Sequence, residues 1–472
     1  MHDAVMVVPG IMGSALRDVE KDTPLWGVGR LFQYSARTHQ KRLRALAVSA
    51  EERAGETGRV EATGLLRIAD WFPGLGTAQP YDRLVSSLEK RALDPAAVRA
   101  FPYDWRLAVE HNGRLLAAAA QDHLRAWRAH PRHRRHLADH PEDTPARLVF
   151  VAHSMGGLLT REVIHLGTLG DDVRTVMTIG TPFSGSVKAA VMLNSGRGAP
   201  LALPPRVLRE VTPTMPGLYD LLPAYRCLEE GGDMRLPGPA DIEALGGLPG
   251  PARTSSEWRE RRQGIRLPGH VSVVGTGQRT WQSYRVDGGA AVPARHMFRR
   301  DRDDRLVLDS DGRPLAEDRG GDGTVYEFAA HLPGTGAEPG YAWQEHSALA
   351  RSSTVIDLAC GLLRGLRHRD DLGTMLGDGQ YAVHTPEWVV EGASFTIEVT
   401  GAPPGADLEC TVREVTGLDD VLAPSLTPSP GTRDVWSGEC RPDRPGLYEV
   451  EVVGGEEPFR RLVAVVAAEG DG

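Results

Sequence analysis

Residues 149–164 read VFVAHSMGGLLTREVI: four apolar residues, then His153, Ser154, Met155, two glycines and an amphipathic run. A buried strand that stops at small residues and restarts as a helix is the setting of the G-x-S-x-G turn, which lifts a serine hydroxyl clear of the backbone. Ala152 stands where that pattern has its first glycine, and alanine is small enough for the turn. The plain alternative is a serine that merely caps a helix. A nucleophile reading therefore requires the rest of the chain to supply a base, an acid and an anion site.

Working outward, residues 4–8 (AVMVV), 147–152 (RLVFVA), 173–179 (VRTVMTI) and 271–274 (VSVV) are short apolar or β-branched runs, several of them leading into helical periodicity. Strands alternating with helices predict an α/β fold with a mostly parallel sheet covered on both faces, its site at the carboxyl ends of the strands. The Pro/Gly-rich stretch 183–270 reads as a cap inserted into this domain, and 17–75 as a lid, within an α/β-hydrolase domain spanning 1–375. After residue 380 the pattern changes to short alternating strands (FTIEVT, LECTVREV, LYEVEVV, RRLVAVVA) separated by Pro/Gly turns. This predicts a small all-β, immunoglobulin-like sandwich over 380–472, with Tyr448 at a corner-tyrosine position.

Composition narrows the partners. The 472-residue chain carries a formal net charge of -9, the opposite of the concentrated positive surface that nucleic-acid binding requires. Four cysteines in so long a chain make no disulfide framework, and free thiols in a reducing compartment are expected, with Cys410 and Cys440 able to pair only if the C-terminal domain were exported. MHDAVMVVPG enters a strand at once, with no signal peptide or apolar spanning run, so a cytoplasmic location is expected.

The missing groups have candidates. In VVPGIMGS (7–14) the strand ends sharply at Pro9–Gly10, so the amide of Ile11, or failing that Met12, can face a developing oxyanion. The second donor is the amide of Met155, directly after the serine at the positive end of a helix. GGDGTV (320–325) projects Asp322 from a tight loop, whereas Asp318 lies in a solvated charged run. His346, at a loop end before an amphipathic helix, is the preferred base over His331, which follows too soon after the acid loop. The chain order Ser, Asp, His is that of α/β-hydrolases.

Seven phrases taken together, VVPGIMGS, FPYDWRL (101–107), AHSMGG (152–157), TIGTPFSGS (178–186), PGLYDLLP (216–223), GGDGTV and EHSAL (345–349), make residues 4–365 resemble the lecithin:cholesterol acyltransferase family of lipases and phospholipid acyltransferases. The resemblance implies a lipid acyl-ester hydrolase or acyltransferase that uses no metal or organic cofactor. It also implies Ser154, Asp322 and His346 as the triad and Ile11 and Met155 as the oxyanion residues. Met12, Trp26 and His153 are the expected substrate contacts, a lipid or other apolar acyl ester the expected substrate, and peripheral contact with a membrane surface the expected setting. Residues 17–75 lack the cysteine pair that closes the lid of eukaryotic members, and the sandwich lies outside the family core. A second reading keeps the triad but gives it a carrier-bound or cyclic ester, with the sandwich docking a protein partner. Asp104 and Arg106 read as a structural ion pair. The run His130, His133, His136, His140 resembles a metal cluster at first sight, but its interleaved arginines make it a solvated helix-to-strand connection and no metal is expected.

Overall fold

The computed structural model describes residues 2–27, 40–66, 81–199, 203–332, 339–363, 375–376, 381–386, 388–402, 405–414, 421–429, 435–454 and 458–467. The central sheet has seven strands: β1 (Ala4–Val8), β2 (Val98–Ala100), β3 (Leu148–His153), β4 (Val173–Ile179), β5 (Val271–Gly275), β6 (Gly340–Ala342) and β7 (Met375–Leu376). Their spatial order is β7-β6-β5-β4-β3-β1-β2. Every neighbouring pair is parallel.

The helices that matter here are α1 (Asp82–Arg91), α2 (Val109–Ala129), α3 (Pro131–Asp139), α4 (Met155–Leu166) and α5 (Ser353–Leu363). Val5, Val7, Val149, Val151, Met177 and Ile179 meet Leu84 and Leu88 of α1 and Val355 and Ala359 of α5 in one core. On the opposite face Ala4, Met6, Val8, Phe150 and Ala152 pack with Leu116 and Leu124 of α2 and Leu158, Leu159 and Val163 of α4. Burial on both faces is why β1 and β3 read as unbroken apolar runs and not as alternating ones.

The two glycines after Ser154 have a packing reason. A Cβ at Gly156 would lie 2.5 Å from the Val8 carbonyl oxygen, and one at Gly157 would lie 2.0 Å from Thr181 Oγ1. Only glycine lets α4 press this closely on the ends of β1 and β4.

Around this layer, Ser14–Asp18, Thr23–Trp26 and Val60–Leu65 form a three-stranded sheet in the stretch read as a lid, of which 28–39 and 67–75 lie outside the described residues. The stretch read as a cap includes a hairpin, Leu228–Glu230 with Asp233–Arg235, that joins Ser283–Asp287 and Ala290–Ala294 in a four-stranded sheet. The sheet thus draws on residues beyond 270. Three-residue strands carry too little alternation to announce this locally.

The C-terminal segment forms two sheets. One contains Ala382–His384, Phe395–Thr400, Val435–Cys440 and Thr427–Pro428; the other contains Trp388–Val390, Phe459–Val466, Gly446–Val453, Glu409–Glu414 and Val421–Leu422. Val383, Ile397 and Val399 of the first share a core with Val412, Val450 and Val463 of the second. Tyr448 is fully buried and its hydroxyl donates to the Arg444 carbonyl at 3.1 Å. All four cysteines are buried and stand as thiols outside any disulfide, Cys410 and Cys440 included. Among the described residues no helix is long and apolar enough to cross a membrane.

Candidate active site

Ser154 stands between β3 and α4 with φ 53° and ψ -126°. A non-glycine residue held there stores about 1–3 kcal/mol of backbone strain, which the surrounding structure must over-determine. The Ser154 amide donates to the Ile179 carbonyl at 2.8 Å, and the Ser154 carbonyl accepts from the Gly157 amide at 3.0 Å. The turn aims Oγ at Nε2 of His346, 2.8 Å away.

His346 opens a short helix, His346–Leu349, shortly after β6. Its Nδ1 lies 2.7 Å from Oδ2 of Asp322. The other carboxylate oxygen, Oδ1, accepts from the amides of Thr324 (2.9 Å) and Val325 (2.6 Å). The carboxylate is thus oriented by its own loop and only one oxygen is left for the ring. The chain closes the contact a second time, because the His346 amide donates to the Asp322 carbonyl at 2.8 Å. Two glycines make room: a Cβ at Gly275 would lie 2.5 Å from Asp322 Cβ, and one at Gly180, where φ is +56°, would lie 3.2 Å from both Asp322 Oδ2 and His346 Nδ1. The rival candidates point elsewhere. Asp318 accepts from Gln282 Nε2 and the Gly320 amide, and His331 faces the Tyr341 hydroxyl at 3.3 Å.

On the other side of Ser154 the turn after β1 approaches closely. A Cβ at Gly10 would lie 2.8 Å from Ser154 Cβ and 3.3 Å from its Oγ. The turn is closed by the Gly13 amide donating to the Gly10 carbonyl at 3.1 Å, with Met12 at φ 61°. The amides of Ile11 and Met155 have no hydrogen-bond acceptor among the described residues. The Gly10 amide is already engaged: it donates to the Tyr81 hydroxyl at 2.8 Å. Tyr81 lies 2.8 Å from His153 Nδ1, and His153 Nε2 lies 3.0 Å from the His346 carbonyl.

These contacts assign the protons. A carbonyl can only accept, so His153 carries its hydrogen on Nε2, and Nδ1 accepts from the Tyr81 hydroxyl. Burial, with the neighbouring His346 second, pushes His153 down to about 3, and burial raises the Tyr81 phenol. Tyr81 has no local sequence signature, and 71 residues separate it from Gly10.

The residues expected to touch substrate are placed differently from one another. Met12 lies in the turn, almost fully buried. Trp26 is 1 % exposed, donates from Nε1 to the Met12 carbonyl at 2.9 Å and meets Trp105 edge-on. His153 has both ring nitrogens committed as described. Trp26 and His153 thus brace the turn and the histidine loop from behind; each ring satisfies its polar atoms internally, as buried polar groups must.

FPYDWRL supports the same turn. The Tyr103 hydroxyl donates to the Pro9 carbonyl at 3.0 Å and Trp105 Nε1 to the Ser14 carbonyl at 3.2 Å. Arg106, fully buried, bonds Asp104 through Nε (2.9 Å) and Nη2 (2.6 Å), Glu52 through Nη2 (3.0 Å) and the Leu46 carbonyl through Nη1 (3.2 Å). Beneath α4, Glu162 is held by Arg262 (2.5 and 2.6 Å) and by Trp258 Nε1 (3.0 Å). The β-sandwich also reaches the site: Arg461 lies 3.7 Å from Glu345, the residue before His346.

The model of the family described as "Lecithin:cholesterol acyltransferase" matches residues 53–236. That segment contains FPYDWRL and Ser154 but neither Asp322 nor His346. No curated protein matches in sequence. Among solved structures, the Tle4-Tli4 complex is 15% identical, covers 78% of this chain and 99% of that one, and superposes with a TM-score of 0.49. The mature lipase BlEst2 of Bacillus licheniformis is 12% identical, covers 77% and 92%, and gives a TM-score of 0.34. The Lin-41 filamin domain is 12% identical, covers 20% and 97%, and gives 0.16.

Proposed function

We propose that this lecithin:cholesterol acyltransferase-like α/β-hydrolase cleaves or transfers lipid acyl esters with Ser154 as nucleophile. The family match supports a lipid-ester hydrolase or acyltransferase. The observation that carries the mechanism is the hydrogen-bonded line from Ser154 Oγ through His346 to Asp322, at 2.8 and 2.7 Å. His346 Nε2 takes the hydroxyl proton as Oγ attacks the acyl carbonyl, and Asp322 Oδ2 accepts the Nδ1 hydrogen and steadies the charged ring. Negative charge gathers on the carbonyl oxygen, where the amides of Ile11 and Met155 are available to receive it. The tetrahedral centre collapses, the C–O bond to the alcohol breaks, and His346 returns the proton to the departing oxygen. Water or a second alcohol then attacks the acyl-enzyme by the same route in reverse. None of these steps calls for a metal or an organic cofactor. The expected setting is a lipid surface that the protein meets peripherally.

The test has two arms. A fluorophosphonate is expected to label the wild-type chain at one serine and to leave Ser154→Ala unlabelled, with circular dichroism showing that the variant is folded; equal labelling of both chains overturns the assignment. Incubation with a mixed lipid extract, with and without an added alcohol, then identifies by mass whether free acids or new esters form.

A further inference from the structure

The histidine-rich run 130–140 does something the sequence alone does not suggest. His133 is buried against Trp127 and accepts from the Ala146 amide at 3.2 Å, and His130 stacks on Trp127 and caps α3. His136 is different. Its Nε2 lies 2.8 Å from Oδ2 of Asp143, and the same oxygen lies 3.5 Å from Nδ1 of His2, a residue brought in from ahead of β1. The three donor atoms all lie within 4.8 Å of one another.

We propose that His2, His136 and Asp143 form a binding site for one divalent transition-metal ion of the zinc class. Two imidazoles and a carboxylate with room for water are a ligand set such ions accept, at about 2.0–2.2 Å per bond. Tetrahedral bonds of that length set neighbouring donors about 3.3–3.6 Å apart, so the donors are within side-chain rotations of coordination. The surroundings favour it. His2 Nε2 lies 2.7 Å from the Thr144 carbonyl, which fixes the hydrogen on Nε2 and turns the Nδ1 lone pair toward Asp143, the outer-sphere arrangement that orients metal-ligating imidazoles. The two rings sit 4.6 Å apart, tilted by 35°.

A simple ion pair accounts for less. It explains one histidine beside Asp143, but not a second ring nitrogen brought toward the same carboxylate oxygen, whereas a metal ion uses both rings. The arginines of α3 do not close the site. Arg132 is drawn to Asp94 at 3.8 Å, and Arg134 and Arg135 are exposed, where water and salt screen them. Side-chain exposures of 11% for His2, 17% for His136 and 39% for Asp143 leave a path for the ion and a coordinating water.

The position fixes the role. His2 precedes β1, and Asp143 precedes β3, its register neighbour in the sheet. The ion would bind the amino ends of two strands whose carboxyl ends carry the Gly10 turn and Ser154, about 17–20 Å away along strands of this length. The site is structural, a clamp joining β1, α3 and the lead into β3, and takes no part in ester chemistry.

The test uses the full chain, stripped with a chelator and titrated with Zn²⁺ by calorimetry and with Co²⁺ by visible absorption. One equivalent is expected to bind, with the strong visible bands of four-coordinate cobalt, and Zn²⁺ is expected to raise the unfolding temperature by a few degrees. His136→Gln and Asp143→Asn are expected to lose at least about a hundredfold in affinity, as removing a ligand must cost no less than removing its outer-sphere support. His130→Gln serves as the control and retains wild-type binding. Asp143→Asn, on an exposed loop, keeps the test open if a histidine variant fails to fold. Absence of one-to-one binding, or equal binding by the wild type and Asp143→Asn, overturns the site.

Discussion

Replacing Gly10 by alanine places one methyl group against the proposed nucleophile. The added Cβ would sit 2.8 Å from Ser154 Cβ, 3.2 Å from His153 Nδ1 and 3.3 Å from Ser154 Oγ. Carbon atoms rest about 3.5–4.0 Å apart, so the turn and the serine must separate by about 0.7–1.2 Å. Displacement of reacting groups by about 1 Å costs on the order of a hundredfold in rate, or about 2.7 kcal/mol of transition-state stabilisation. The loss is expected in kcat and in the rate of fluorophosphonate labelling, with KM for a short-chain ester little changed, because the methyl group displaces the hydroxyl and its anion site together. Gly64→Ala is the control: it meets no atom within 4 Å and should react at the wild-type rate. A Gly10→Ala enzyme that labels as fast as wild type, with an unaltered unfolding temperature, would show that this close approach does not position the serine.

Tyr81→Phe leaves the Gly10 amide and His153 Nδ1 buried without partners, at about 1–3 kcal/mol each; a lower Tm and slower labelling are expected, and wild-type values for both would discount the network. Arg262→Ala strands Glu162 in a fully buried site and should cost about 3–5 kcal/mol, read as a drop in the denaturant midpoint; an unchanged midpoint refutes it. Acid should destabilise the fold early. Burial pushes His153 and His384 down to about 3 and His270 to about 4. Above the ordinary value of about 6.5 neither state gains protons on these rings, but below it the unfolded chain does and the native one does not, so each costs about 2 kcal/mol by about pH 5. A Tm that stays flat between pH 7.5 and 5, in a scan at constant ionic strength, contradicts this.

The parts of the site that could be read from sequence are those set by short-range geometry. A strand that breaks at Ser154 before two glycines, an aspartate among glycines and a histidine at a helix start each announce a side chain held at a loop, and the fold brings these three together. The α/β alternation was legible for the same reason, because β1 and β3 are buried on both faces and so read as apolar runs. What was hidden depends on partners distant in the chain. Tyr81 gains its contacts from Gly10 and His153, and the proposed ligand His136 gains a second imidazole from His2, ahead of β1. Trp26, an expected substrate contact, turns inward because Met12 offers a carbonyl to its indole nitrogen, a pairing no local pattern encodes. The hairpin at 228–235 was invisible as strand because each of its arms is only three residues long, too short to show alternation, and it joins a sheet whose next strand, 283–287, lies about fifty residues on.

The two neighbouring imidazoles beside the serine, tilted against each other by 41°, have a further consequence. The rings of His153 and His346 lie 4.9 Å apart, and two positive charges at that separation would repel by about 3 kcal/mol at an effective dielectric constant near 20. Because burial disfavours a second proton on His153, the pair offers a single berth for the migrating charge. In the proposed cycle, cationic His346 meets a neutral neighbour whose hydrogen points away toward a carbonyl. A replacement at 153 that stayed protonated at neutral pH would hold the proposed general base in competition for that charge before any substrate arrived.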